Sequence, residues 1–383
     1  MAMSLPKAPV KIEAVESRAA LCRFVEFPYR LYQGSPYWVA PLRLEQKLTL
    51  SPRRNPFYKH GRIQPFLAYD SKGRVVGRIA AIENQAHLKK YHDQTGFFGF
   101  FECDHTAGVA SALFDAAAEW LRAQGLSRMR GPCSPSMNDI SGLLVKGFDR
   151  RPTVFMPYNP PYYEDYLKQC GFERAITTYA YYIHRRYADF EKVAPLLAEL
   201  QRSYPGLKLV RGDLRRFAEQ AQLIFEIYNE GWEGNWGHVP MSRAEFAQLT
   251  RLFRFLIDPS LVVFLELNGE TIGFLLALPD LNEILSHVRT GRLLPCAWLP
   301  LLLRWKLGGI HSVRVAMGGV RSAYRGQGFA PLMALLVAQQ QWIGAYEAVE
   351  LSWILQTNKL LVDSLERIGA VRDKEYAIFE RPV

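Results

Sequence analysis

Between His311 and Ala345 the chain passes from a β-branched run, through a glycine-punctuated polar stretch, into a helical pattern, and few folds accommodate that order. The run holds Val313-Arg314-Val315-Ala316-Met317 and continues into Gly318-Gly319-Val320. The segment Arg321-Ser322-Ala323-Tyr324-Arg325-Gly326-Gln327-Gly328-Phe329-Ala330 then leads to a helix from Pro331. A strand, a tight loop and a helix aim the unpaired N–H groups of the first helical turn at whatever lies in front, which favours a phosphate. Pro331 suits that turn because a missing N–H costs nothing there. The spacing is not Gly-x-Gly-x-x-Gly and no Lys-Ser or Lys-Thr pair follows, so the dinucleotide fingerprint and the P-loop are both excluded.

Downstream, Ala348 to Ile354 reads as a strand, and Asn358 opens a second helical pattern that closes at Gly369. A final strand pair is expected around Tyr376-Ala377-Ile378-Phe379. Arg325, Gly328 and Ala330 match, position for position, the pyrophosphate loop of the GNAT superfamily of acyl-CoA-dependent acyltransferases: Arg or Gln, two residues, Gly, one residue, Gly or Ala. The order of elements resembles that superfamily over roughly the last 175 residues. The resemblance implies acyl-CoA as co-substrate and no metal. It places the CoA on Val320 at the end of the central strand, on the loop Arg325, Gly326, Gln327, Gly328, Phe329 and Ala330, and on Asn358.

The first half repeats this order. Two strands, Gln64 to Tyr69 and Val75 to Ala81, are joined through Asp70-Ser71-Lys72-Gly73, a hairpin turn. An aromatic strand, Gly96 to Glu102, precedes an amphipathic helix from Val109 to Gln124. Between them His105-Thr106-Ala107-Gly108-Val109-Ala110 keeps the six-residue frame with His in place of the arginine, and Asn159 opens a helix closing at Gly171. The fold class expected is therefore α+β: two tandem GNAT-like domains, each a twisted mixed sheet flanked by helices. Residues 1–187 form a degenerate copy that has lost the anion loop. Residues 188–383 form the acyl-CoA-binding copy, with an insertion at 280–309. A further insertion, Ser134 to Pro157, sits in the first copy, and its Asn138-Asp139-Ile140-Ser141-Gly142 reads as a polar substrate contact or an Asx turn, with the turn preferred.

Composition narrows the partners. The net charge of +10 and a pI near 9.3 favour polyanions, but the arginine pairs are scattered rather than massed. The phosphates of CoA or an anionic membrane surface are therefore expected, and no nucleic acid. Five cysteines with no metal spacing and an odd count suit a reducing cytoplasm. Met1 to Ala8 has no apolar signal region, and the longest apolar stretch, Leu293 to Leu303, is too short to span a bilayer. That stretch is flanked by Arg289, Arg292, Arg304 and Lys306, so it reads as an interfacial helix, an acyl-chain wall or a buried packing helix.

Acyl transfer to an amine needs a group that removes the ammonium proton. Glu233 and His238, in the aromatic and polar segment Glu230 to His238, are the candidates. Many GNAT enzymes carry a Tyr seven residues after the helix-opening Asn as acid for the leaving thiolate. Here that position is Leu365, and Tyr376 is the substitute. Trp38, the aromatic strand, Asn235-Trp236-Gly237 and Ser352-Trp353-Ile354-Leu355 resemble a bacterial family that includes the bacterial ceramide synthases. This implies N-acylation of a sphingoid base from a fatty acyl-CoA. Three other readings stay open: N-acetylation of a small amine or amino acid, a Fem-type aminoacyl-tRNA-dependent transferase, and a non-catalytic acyl-CoA-binding protein.

Overall fold

The computed structural model describes residues 10–192, 194–253, 257–293, 298–333 and 346–383. Cys296, part of the apolar insertion and the helical pattern beyond Met333 lie outside these residues. The N-terminal part contributes β1 (Lys11–Ala14), α1 (Arg18–Leu31), α2 (Arg43–Thr49), β2 (Gly61–Tyr69), β3 (Val75–Asn84), α3 (Gln85–Tyr91), β4 (Thr95–Cys103), α4 (Val109–Ala123), β5 (Arg128–Gly131), the short strands β6 (Cys133–Ser134), β7 (Ile140–Ser141) and β8 (Leu143–Lys146), and α5 (Tyr163–Gln169). There follow β9 (Glu173–His184), α6 (Ala194–Ser203), β10 (Leu207–Arg211), α7 (Phe217–Trp232), α8 (Arg243–Phe253), β11 (Val262–Leu267), β12 (Glu270–Pro279), α9 (Asn282–Leu285), α10 (Trp298–Lys306), β13 (Ser312–Val320), β14 (Ala348–Leu355), α11 (Lys359–Arg367) and β15 (Val371–Pro382).

Two compact units divide the chain, and they exchange segments. The first takes the chain up to Ile176 together with Leu285–Trp298 and Tyr376–Val383; the second takes Thr177–Ile284 and Leu299–Glu375. A single cut between residues 187 and 188 does not describe this exchange, because β9 lies mostly in the second unit while the end of β15 serves the first. Nor is there a final strand pair. Val371 to Pro382 is one strand, whose residues Phe379 to Pro382 pair antiparallel with β5.

Each unit holds the same sequence of pairings. In the first, β3 pairs antiparallel with β4 and β4 parallel with β5, with α4 as the crossover. In the second, β12 pairs antiparallel with β13 and β13 parallel with β14. Local turn chemistry sets the hairpins. Asp70 Oδ1 accepts from Lys72 N at 2.9 Å and Arg74 N at 2.8 Å in the turn between β2 and β3. Asn268 and Gly269, both at positive φ, join β11 to β12 as the primed turn their sequence favours. The first core is aromatic: Phe98, Phe101, Phe114 and Phe172 lie with ring centroids 4.4–5.3 Å apart along Phe101–Phe114, Phe114–Phe172 and Phe98–Phe114. In the second, aliphatic side chains of β11 to β14 pack against Phe329, Leu332, Val362 and Leu365. Leu365 is 1% exposed, so the position where a tyrosine would serve as acid is filled by a core residue.

Asn159 does not cap a helix. Its Oδ1 accepts from Leu144 N at 2.7 Å and its Nδ2 donates to Leu144 O at 3.1 Å, bracing β8, and α5 begins only at Tyr163. The Asn138-Asp139 segment is a turn as expected, with Asp139 Oδ2 accepting from Ser136 N and Oγ.

Candidate active site

In the second unit the site is built on β13. Opposite β12 the register advances from Leu276↔Met317 to Ala277↔Val315, so Ala316 is an extra residue and the strand bulges there. Pairing with the parallel partner β14 stops at Val315↔Leu351, whereas β13 runs on to Val320. A bulge and a parting of parallel strands at one point leave backbone N–H and C=O groups without ladder partners on that edge. That is what an extended ligand with amide groups could pair with.

The strand delivers the chain to the glycine loop. Ser322–Tyr324 forms a 3₁₀ turn, Gly326 and Gly328 take φ of +79° and +83°, and helical residues 329–333 follow. Gly328 O accepts from Leu332 N at 3.0 Å, which makes Gly328 the N-cap and leaves the N–H groups of Phe329 and Ala330 in the first turn without intrahelical acceptors. Pro331, the third helical residue, has no N–H to leave unpaired. The loop's shape is held by α7. Glu230 Oε1 accepts from Ser322 N and Ser322 Oγ, both at 2.7 Å, and its other oxygen lies 3.2 Å from Arg321 Nη1. Arg325 does not point its guanidinium ahead of the loop. It donates from Nη2 to the carbonyls of Glu230 and Gly231, both at 3.0 Å, closing the C-terminus of α7. Gln327 is held between Ala323 O and the Tyr204 hydroxyl.

Glu230 was not singled out by the sequence, and it is the side chain on which the loop hangs. Partial burial works to raise its pKa, but the hydrogen bonds from Ser322 and the neighbouring Arg321 outweigh it and hold the carboxyl below its ordinary value. A depressed folded-state value contributes stability above the unfolded pKa, and that stability is lost as pH falls through the folded one. Loop order should therefore be intact at neutral pH and fade below about pH 4.5. Glu230→Gln is expected to weaken CoA binding on the order of tenfold at pH 7, the scale of a lost charge-assisted hydrogen bond, and to flatten the acid-side loss. Calorimetric titration of CoA at pH 7 and pH 4 measures both. Wild-type behaviour of the variant at the two pH values would show that the loop does not depend on this carboxylate.

Of the proton-transfer candidates, Glu233 is exposed at the end of α7, and His238 is 4% exposed beneath the rings of Tyr228 and Trp232, with centroids at 5.6 and 6.2 Å. Trp232 Nε1 donates to Gly318 O at 2.6 Å, and a Cβ added to Gly231 would meet Val320 O at 2.8 Å. The end of α7 is thus fastened to the part of β13 beyond the bulge, and His238 lies one ring behind it. Tyr376 is fully buried and belongs to the part of β15 counted with the first unit. Asn358 is exposed and stands as N-cap of α11, and Val320 closes β13, mostly buried.

The first unit keeps the strand and fills the slot. β4 bulges too, between Ala80↔Gly99 and Arg78↔Glu102. Here the protein's own backbone covers the strand: Ser134 Oγ accepts from Phe100 N at 3.0 Å, and an added Cβ on Gly99 would overlap the carbonyl of Cys133. His105 lies against Tyr162 with ring centroids 3.7 Å apart and the planes tilted by 39°. Gly108 persists at φ +82° as N-cap of α4, so it is needed by the strand-to-helix turn itself.

One further group escaped the sequence reading. Arg314 on β13 and Glu350 on β14 are register partners, 8% and 1% exposed. Arg314 Nε donates to Ser352 Oγ at 2.8 Å, and that hydroxyl donates to Glu350 Oε1 at 2.8 Å. The signal was present as opposite charges embedded in two apolar strands, Val313-Arg314-Val315 and Val349-Glu350-Leu351. Among the described residues no group of three or more His, Cys, Asp or Glu is placed to hold a metal ion, and no helix is long and apolar enough to cross a membrane.

No protein-family model matches the chain. It is similar to a protein of Caulobacter vibrioides named bacterial ceramide synthase, 34% identical over 383 residues, covering 98% of both chains. It is also similar to the protein YghO of Escherichia coli, 34% identical over 364 residues, covering 94% of this chain and 92% of that one. Among solved structures, a tandem GNAT protein from the clavulanic acid biosynthesis pathway superposes with a TM-score of 0.54 at 11% identity over 98% of both chains. Identity that low speaks to the fold, which is the tandem GNAT fold.

Proposed function

Because the chain belongs to the family of the bacterial ceramide synthase and YghO, we propose that it is an N-acyltransferase moving a long-chain acyl group from acyl-CoA to the amine of a lipid such as a sphingoid base. Family and fold together make it an acyltransferase. The observation that carries the CoA reading is the bulged, parted strand β13 running through left-handed Gly326 into a helix capped by Gly328; the first unit keeps a bulge and the cap glycine Gly108 but covers its strand with Cys133 and Ser134. We assign CoA to the second unit, on Val320, the loop Arg325 to Ala330 and Asn358, and a packing role to the first. The loop backbone would hold the pyrophosphate and the free edge of β13 the amide-bearing arm. His238 or Glu233 would take the ammonium proton, and the CoA thiol is acidic enough to leave without a dedicated acid.

A lipid acceptor is favoured by α10. Leu299 and Leu303 on α10 and Leu307 in the turn after it are spaced four apart and are 48%, 51% and 83% exposed, with Arg304 exposed beside them. An apolar stripe with cations fits peripheral contact with an anionic leaflet better than a packing role.

Each methylene taken from water contributes about 0.8 kcal/mol, so a palmitoyl chain could gain on the order of 10 kcal/mol over acetyl before ordering costs. Turnover of a long-chain amine is therefore expected to favour palmitoyl-CoA by more than about 100-fold in kcat/KM, and Leu303→Asp should weaken sedimentation with anionic vesicles. Equal or better use of acetyl-CoA would return the protein to small-molecule acetylation. A thermal shift produced by tRNA and not by CoA would turn the reading to a Fem-type transferase.

A further inference from the structure

On the face of the second unit's strands opposite Phe329 and α11, an apolar pocket opens between α7 and α8. Phe217, Ala221 and Ile224 of α7 and Phe246 and Leu249 of α8 form its walls. One end of it is the pair Leu276 and Met317, which are register partners on β12 and β13. Met317 follows the Ala316 bulge directly, two residues beyond Val315, the last position at which β13 pairs with β14.

The lining is mostly apolar. Gln220 Oε1 accepts from Asp213 N at 2.9 Å, and the Asp213 carboxylate is held by Arg215 Nε and Nη2 at 2.9–3.1 Å. The Thr250 hydroxyl donates back to Ala247 O at 3.2 Å. The remaining walls are hydrocarbon, and Leu214, half-exposed, adds an apolar rim. A cavity of that chemistry favours alkyl chains and disfavours headgroups, sugars or amino acids, whose polar groups would be buried unpaired.

From this placement, and resting on the acyl-CoA reading of β13 and its loop, we infer that the pocket between α7 and α8 receives the fatty acyl chain of the acyl-CoA, entering past Met317 with the thioester at the bulge. The acyl carbonyl then lies at the strand edge, and the chain length the enzyme accepts is set by the depth between Met317 and Leu214. Each methylene accommodated would tighten binding about fourfold.

Palmitoyl-CoA bearing a diazirine at the end of its chain tests this on the unaltered protein. After irradiation and proteolysis, label is expected on peptides of α7 and α8. Ala221→Phe, which fills the pocket from one wall, is expected to lower kcat/KM for palmitoyl-CoA more than about 100-fold while the thermal shift given by CoA alone stays as in wild type; Leu249→Trp from the other wall serves if that variant does not fold. Label on α10 instead, label in the pocket only from a diazirine-bearing sphingoid base, or an Ala221→Phe enzyme within about threefold of wild type would overturn the assignment and leave the acyltransferase reading standing. Loss of any wild-type preference for palmitoyl-CoA over acetyl-CoA would bring down the long-chain reading itself, and the pocket assignment with it.

Discussion

Valine in place of Gly328 is expected to abolish CoA binding, raising Kd more than about 100-fold, whereas valine in place of Gly108 should leave it unchanged. Both glycines cap a helix at φ above +80°, a region that costs an L-residue about 1–2 kcal/mol and a β-branched one more. Each variant therefore loses stability, on the order of 2–8 °C in Tm for a unit of this size. Only at Gly328 does the new Cβ also stand in front of the N–H groups of Phe329 and Ala330, keeping phosphate oxygens away from the backbone. Gly328→Asn separates the two effects, because Asn tolerates the left-handed region and should keep the fold while still obstructing the loop. The measurement is calorimetric or fluorescence titration with CoA beside a melting curve. A folded Gly328 variant that binds CoA as wild type does would remove the loop from the CoA site.

What the chain discloses on its own is what short-range chemistry determines. Asn268-Gly269 and Asp70 to Gly73 specify their turns within four residues, and the β13 loop is legible because glycine spacing, Pro331 and the following helix act over one contiguous stretch. The order of elements in each half was legible for the same reason, since strand, turn and helix patterns are local. Long-range placement was not. Tyr376 opens the short apolar run Tyr376-Ala377-Ile378-Phe379, and no local pattern tells that this end of β15 is counted with the first unit and that Tyr376 is fully buried. The Arg325 side chain could be named from its motif, but its docking on Glu230 O and Gly231 O depends on where α7 ends. Nor does any local pattern reveal that Glu230 reaches Ser322, since a glutamate in the last turn of a helix ordinarily reads as solvated. The pocket brings together residues from Gly212 to Met317, none of which carries a motif.

Removing the imidazole of His238 should slow acyl transfer about 10² to 10⁴ fold with CoA affinity retained, the range of a lost general base. The geometry supports this more than it supports Glu233. A base must reach the attacking amine where the thioester lies, and Trp232 and Gly231 fasten the end of α7 to Gly318 and Val320 of β13, with His238 packed against the inner face of Trp232. Glu233, one residue beyond, is exposed, where water can move the same proton and the positional advantage is small. Glu233→Gln is accordingly expected to cost less than about tenfold. His238→Ala opens a space the size of the lost ring, so added imidazole should restore part of the rate if the ring carries the proton, and should do nothing if it only supports Trp232. Tyr376→Phe removes a hydroxyl from a fully buried ring without changing its volume, and turnover within a few fold of wild type is expected for it. The acid limb of the kcat/KM profile gives the second readout, since a true base leaves its titration there and its loss removes that limb. If His238→Ala, Glu233→Gln and Tyr376→Phe all turn over within a few fold of wild type, proton transfer lies elsewhere. The buried carboxylate of Glu350, held through Ser352 beside Arg314 at the point where β13 and β14 part, is then the next group to substitute.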